Sequence, residues 1–203
     1  MHPVPIAHGM TIGEYAMMIN GEGWLENKAK CELEVIQLKN YTHHDSVSLP
    51  VKPSPNLPND HAVRLYPYIC LFEGTALSLG RGTYMPFEVL GHPDLKDQPF
   101  EFTPVSIKVM SAKPKLENQL CHGIDLRKEK PERKIALKYL IDMYQQFPDK
   151  ENFFIPYIDK LSGTKEFKEQ IRKGMSEEEI RATWEEGLTK YKLVRKKYLL
   201  YED

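Results

Sequence analysis

The chain has 203 residues, 41% of them hydrophobic, which is enough for one large domain, or a domain with a helical appendage, around a real core. Its 28 lysines and arginines nearly balance 29 aspartates and glutamates, giving a formal charge of −1 that excludes a global field directed at nucleic acid or an acidic membrane surface. No apolar run approaches the length of a membrane span, and the opening MHPVPIAHGM has neither the basic start nor the apolar core of a signal peptide.

Two early prolines impose an extended entry that turns at Gly9. Thr11 followed by Glu14 forms a capping box, which predicts a helix over 12–20, stopped by Gly21 and Gly23. CELEVIQLKNY, residues 31–41, alternates apolar and acidic positions and reads as a strand with one buried face. The loop that follows is stiffened by Pro53, Pro55 and Pro58, with Ser54 and Asn56 as its polar tips.

HAVRLYPYICLFEGT predicts a short buried helix capped by Asn59 or Asp60, perturbed by Pro67 and ended at Gly74. TALSLGRGT reads as irregular, and strands are expected at 86–91, within 100–109, and at CHGIDLRK. Helices are expected at 131–147, with Pro131 at its first position, at 164–173, and at 176–197 behind the capping box Ser176 and Glu179. The expected class is α+β: a small mixed sheet packed with helices, followed by a C-terminal helical region. Cys31, Cys70 and Cys121 are too scattered for a disulfide framework and suit buried thiols.

The unusual chemistry concentrates between residues 53 and 83, where Glu73, Ser78 and Arg81 lie among glycines. A carboxylate ending a helix faces the negative end of the helix dipole, so Glu73 calls for a cation, and Arg81 is the obvious one. Glu14 has a structural role in its capping box, but with His8 nearby it is also a candidate for acid or base work. His43, His44 and Asp45 lack metal-site spacing, Ser78 is outside a GxSxG elbow, and no phosphate-binding glycine loop occurs. Neither a metal nor a cofactor is expected. The basic residues near the C-terminus share their helix with acidic ones, which suits a solvated face better than nucleic-acid binding.

Four blocks in order, HGMTIGEYA, LPVKPSPNLPN, LYPYICLFEGTALSLGRGTYMPFEVLG and RKGMSEEEIRATWEEGLTKYKLVRKKYLLY, resemble the C-terminal domain of the bacterial exo-β-N-acetylmuramidases of glycoside hydrolase family 171, across essentially all 203 residues. The resemblance implies a peptidoglycan hydrolase that releases terminal N-acetylmuramic acid from the non-reducing ends of wall glycan fragments such as MurNAc-GlcNAc, in a cell-envelope, periplasmic or secreted setting. It also implies that the partner N-terminal Rossmann-like domain is absent and holds the main catalytic glutamate, so the isolated chain is expected to be inactive. Within this chain, Glu14 and His8 are then the catalytic candidates, and Ser54, Asn56, Glu73, Ser78 and Arg81 the sugar-binding ones. The alternative is a non-catalytic module that binds wall fragments or a partner chain. A lobe made for a partner should expose apolar surface around Val4, Ile6 and the 53–58 loop.

Overall fold

The computed structural model describes residues 2–203. The chain divides into two compact units, one of residues up to Val47 together with Arg181–Asp203, the other Ser48–Ile180. The class is α+β, as the sequence predicts: among the described residues seven helices accompany one three-stranded sheet.

In the first unit, α1 (Ile12–Gly21) forms where the capping box places it: the Glu14 N–H donates to Thr11 Oγ1 and the Thr11 N–H donates to Glu14 Oε2. The expected strand at 31–41 does not form. Residues 31–38 have no regular secondary structure and no backbone–backbone partner, and are anchored at one end where Asn20 exchanges two hydrogen bonds with the Cys31 backbone, at 2.9 and 3.0 Å. A strand requires a neighbour as well as a pattern, and this unit offers none. The expected long C-terminal helix is interrupted: α6 (Glu177–Ala182), which begins in the second unit and is opened there by the predicted Ser176–Glu179 capping box, closes in a turn where the Trp184 N–H donates to the Arg181 carbonyl, and α7 (Glu185–Arg195) follows in the first unit. The junction residues Thr183 and Trp184 are both weak helix formers.

In the second unit, α2 (Asp60–Ile69) starts where the Asn59 side chain accepts from the Ala62 N–H at 2.8 Å, and it tightens into a 3-10 turn at Cys70–Gly74. Strands β1 (Val89–His92), β2 (Phe100–Phe102) and β3 (Cys121–Asp125) are ordered β1-β3-β2 and pair antiparallel throughout, where a mixed sheet was expected. Helix α3 (Leu137–Gln146) begins six residues after Pro131, because the Ala136 N–H is engaged by the Tyr68 carbonyl at the end of α2. The short α4 (Ile158–Ser162), unforeseen in the sequence, and α5 (Glu166–Arg172) complete this unit.

In its interior Val89, Phe102 and Cys121 of the sheet form one buried cluster with Met85, Phe100 and Leu116 packed against it, helix residues such as Leu65, Leu140 and Phe167 are buried as well, and Phe147, Phe153 and Phe154 pack edge to face. Exposed apolar side chains occur at Ile6, as the resemblance implies, but gather more densely between residues 33 and 51, while Val4 is half-buried. Among the described residues no helix is long and apolar enough to cross a membrane.

Candidate functional site

The irregular segment after α2 is held on both sides. The Ala76 N–H donates to Phe153 and the Ile155 N–H to Gly74, while Ser78 and Gly91 of β1 exchange hydrogen bonds at 2.8 and 3.1 Å. Close approach explains the glycines: a Cβ on Gly74 would lie 2.7 Å from the Ile158 backbone, and one on Gly82, whose φ is +83°, would lie 2.6 Å from Pro114. This clamping sets Arg81 at the apex of a rigid loop.

There Arg81 Nη2 donates to Glu73 Oε2 at 3.3 Å, and the guanidinium rests 4.8 Å from the centre of the Phe87 ring. The predicted pair therefore exists, but as a single long contact with the Arg81 side chain 39% exposed, not a buried fork. Two further residues that the sequence did not single out complete the cluster. Tyr66 packs edge-on to Phe87 at 5.0 Å, and burial together with the adjacent Glu73 carboxylate raises its pKa. Lys115 follows Pro114, which abuts Gly82, and sends its ammonium inward to the Thr75 carbonyl; burial lowers its pKa while Glu73 opposes that shift. Two cations and one carboxylate leave a net positive charge, which suits an anionic ligand group.

The other expected sugar-binding residues are placed less openly. Ser78 is almost wholly buried and its hydroxyl accepts from the Gly80 N–H, so its geometry braces the loop. Ser54 and Asn56 share one turn, in which the Asn56 N–H donates to Ser54 Oγ. The buried Asn56 side chain donates to the Met110 carbonyl at 2.7 Å, and its Oδ1 is left without a partner among the described residues.

A buried carboxylate in this unit, Glu88, lies 2.9 Å from His61 Nδ1, with Asn59 Nδ2 at 3.4 Å, and the opposite nitrogen of His61 contacts the Glu129 carbonyl. The signal for it was present in the sequence: a lone acid inside the apolar run PFEVLG requires an answering partner.

Glu14 and His8 belong to the first unit. Glu14 is fully buried, with Oε2 receiving the Thr11 N–H and hydroxyl, and Oε1 receiving the Leu200 N–H at 2.7 Å beside His43 Nε2 at 3.0 Å. Burial alone would raise its pKa, but the hydrogen bonds from Leu200, Thr11 and His43 together outweigh it and hold the carboxyl below its ordinary value. A general acid needs a proton to give near neutral pH, and a general base needs a lone pair turned to substrate. Glu14 offers neither, so its geometry is that of a fixed anion.

His8 stacks on Tyr15 with ring centres 5.1 Å apart and accepts the Met10 N–H at Nδ1, which places its own proton on Nε2. Burial, and then the Arg195 charge, lower its pKa, leaving a neutral donor ring. The sequence offers His43 only in a run that lacks metal-site spacing; its tie to Glu14 spans 29 residues and has no local signature. Among the described residues no group of three or more histidine, cysteine, aspartate or glutamate side chains is placed to hold a metal ion.

Comparison with known proteins places this arrangement in a family. Residues 64–201 match the family described as exo-beta-N-acetylmuramidase NamZ, C-terminal, and residues 1–61 match exo-beta-N-acetylmuramidase NamZ, N-terminal. The chain belongs to the NamZ family. Where the sequence blocks point to the C-terminal domain throughout, the NamZ matches divide the chain just inside α2, and both Glu14 and His8 lie in the N-terminal match.

A curated NamZ relative, peptidoglycan beta-N-acetylmuramidase NamZ of Bacillus subtilis strain 168, is 34% identical across 99% of this chain and 52% of its own length. A solved DUF1343 family protein of Bacteroides fragilis NCTC 9343 is 47% identical with a TM-score of 0.92, covering 97% of this chain and 56% of that one. A second from the same organism, at 21% identity and TM-score 0.74 over 96% and 57% of the two chains, shares the fold. The chain thus spans about half the length of the NamZ relatives it matches.

Proposed function

We propose that this chain forms part of the substrate-binding surface of a peptidoglycan exo-β-N-acetylmuramidase, and that Arg81 receives the lactyl carboxylate of a terminal N-acetylmuramic acid. The observation that carries the reading is the single, 3.3 Å contact between Arg81 and Glu73, with the guanidinium stacked on Phe87 and partly open to solvent. A fork held by one weak contact keeps N–H donors for a planar carboxylate, and stacking presets its orientation. Glu73 and Phe87 hold the guanidinium in place, Tyr66 packs against Phe87, and Lys115 adds positive charge to the same wall. Glu14 and Ser78 act as structural supports in this reading, while the acid that protonates the leaving sugar belongs to the remainder of the polypeptide, in a cell-envelope or secreted enzyme. A pair of carboxyl groups flanking the bond, or one acid assisted by the substrate acetamido group, is the general requirement for this hydrolysis.

Titration calorimetry with N-acetylmuramic acid and N-acetylglucosamine tests the assignment, because the sugars differ in the lactyl ether that carries the carboxylate. Binding of the former should be stronger by roughly 10- to 100-fold, the value of one or two charge-assisted hydrogen bonds. Arg81→Ala should erase the difference and Arg81→Lys should restore part of it. Equal affinities in the unsubstituted chain would overturn the role of Arg81. Release of N-acetylmuramic acid from MurNAc-GlcNAc by this chain alone would overturn the placing of the acid elsewhere.

A further inference from the structure

The buried Glu88 directly follows Phe87, the ring on which the Arg81 guanidinium rests. Its carboxylate meets two side chains at the start of α2, His61 Nδ1 at 2.9 Å and Asn59 Nδ2 at 3.4 Å. The other ring nitrogen of His61, Nε2, lies 2.9 Å from the main-chain carbonyl of Glu129. Both partners of the imidazole are therefore acceptors, since neither an ionised carboxylate nor a carbonyl has a proton to give.

A neutral imidazole carries one N–H and serves one of these acceptors, which leaves a bare ring nitrogen against the lone pairs of the other. Two bonds need two protons. The charge-assisted way to supply them is an imidazolium between an ionised Glu88 and the carbonyl. The groups around the ring are otherwise committed: the Glu129 carboxylate accepts from the Tyr139 hydroxyl of α3 at 2.9 Å, and Asn59 Oδ1 accepts from the Ala62 N–H. Arg127, whose charge also reaches Glu88, is held by both oxygens of Asp125. Burial raises the pKa of Tyr68 and of Tyr139, so both stay neutral phenols.

This clasp joins the first turn of α2, the residues leading into β1 and the segment after β3, and it bears on Phe87. Phe87 has φ +60°, a left-handed conformation that a residue with a side chain seldom adopts. Neighbouring backbone holds it there: the Phe87 N–H donates to Leu79 at 2.7 Å, the Glu88 N–H to Met85 at 3.1 Å, and the Glu88 carbonyl accepts from Leu126 at 2.8 Å. The Glu88 side chain is a further tether on the same turn. We infer that His61, as the imidazolium, is a positioning residue for Arg81: with Glu88 it fixes the Phe87 platform, and loss of its proton loosens the platform and weakens the anion site. Imidazole is the side chain whose ordinary titration falls between pH 5 and 8, so the site should hold an anion better on the acid side of that range. The link from His61 to Phe87 stands on the hydrogen bonds; its effect on sugar binding rests on the role proposed for Arg81.

Glu88→Gln tests the link with little change of shape. The amide can turn its oxygen or its nitrogen to His61 Nδ1, so the clasp is complete with the ring in either protonation state. The aromatic carbon–proton signals of Phe87, followed by NMR without ligand from about pH 5.5 to about pH 8.5, bracket the ordinary imidazole range. They should shift in the unsubstituted chain and stay in place in the variant. In titration calorimetry across the same range, the affinity of the unsubstituted chain for N-acetylmuramic acid should fall by roughly 3- to 10-fold, the equivalent of one hydrogen bond of ordinary net strength. The variant should lose less than about 2-fold. Burial lowers the pKa of Lys115 and of His92, but both residues are present in both proteins, so any effect of theirs survives in the variant.

Phe87 signals that ignore pH in the unsubstituted chain, a comparison that needs no variant, overturn the inference. So do signals, or sugar affinities, that change equally with pH in both proteins. If the Phe87 signals shift in the unsubstituted chain alone while N-acetylmuramic acid binds neither protein at any pH, the clasp is upheld and the role of Arg81 is overturned instead.

Discussion

Glu14 Oε1 accepts the backbone N–H of Leu200 at 2.7 Å, so one carboxylate caps the first helix and also ties down the last residues of the chain. With Thr11 and His43 as the other donors, the group is a buried junction of three segments distant in sequence.

Glu14→Ala leaves the N–H groups of Leu200 and Thr11 without acceptors, and each buried unsatisfied donor costs about 1–3 kcal/mol. Urea unfolding should therefore show a loss of about 3 kcal/mol or more. The pH dependence has a definite sign. The folded pKa of Glu14 is depressed, so its contribution is fully present above the unfolded carboxyl value and is lost as pH falls through the folded one. The melting-temperature gap between the unsubstituted chain and Glu14→Gln should be wide at neutral pH and close towards acid; a gap independent of pH would show that the charge is not what Glu14 contributes.

The glycines around Arg81 give a second prediction, with a built-in control. Gly82 and Gly174 both have positive φ, +83° and +76°, but only Gly82 is crowded, by Pro114 and the Val105 carbonyl, whereas nothing approaches Gly174 within 4 Å. Gly174→Ala should cost only the left-handed strain, about 1 kcal/mol. Gly82→Ala adds a collision with backbone and ring atoms and should cost more than about 2 kcal/mol by chemical denaturation. Similar values for the two would mean that the loop yields easily, and the preset geometry of Arg81 would lose its basis.

What the sequence made legible follows how local each signal is. Both capping boxes and the Asn59 cap formed as expected, because a cap involves residues within four positions of one another. The Glu73–Arg81 pair was legible from dipole electrostatics and a separation of eight residues. Non-local causes governed the rest: α3 starts late because Ala136 bonds to the Tyr68 carbonyl, and the strand at 31–41 has the right pattern but no neighbour. In the site, Tyr66 and Lys115 were missed because a tyrosine in an apolar helix and a lysine in a polar loop are ordinary until the fold turns them towards one carboxylate.

That convergence can be read spectroscopically. The Tyr66 hydroxyl has a raised pKa, first from burial and next from the negative charge of Glu73. Neutralising the charge with Glu73→Gln leaves the burial and removes the repulsion of the phenolate, so the Tyr66 titration should move to lower pH. Ultraviolet titration, with Tyr66→Phe as the subtraction control, isolates the signal. An unmoved titration would separate Tyr66 from the Glu73–Arg81 pair and remove it from the proposed wall.

The three cysteines offer a direct check on which parts of the fold are closed. All are free, with Cys31 exposed and Cys70 and Cys121 buried. Burial raises both buried thiols to about 11, with the Glu73 charge adding to the effect at Cys70. The thiolate is the reactive form, so at pH 8 these two groups are shielded sterically and almost wholly protonated. A thiol-disulfide reagent should modify one cysteine rapidly in the native chain and all three only after unfolding. Labelling at Cys31 should leave the stability near its starting value, since that side chain is exposed. Rapid native labelling of Cys70 would mean that the turn between α2 and the Arg81 loop opens readily, and Glu73, three residues on, would then be a mobile partner for the guanidinium instead of a fixed one.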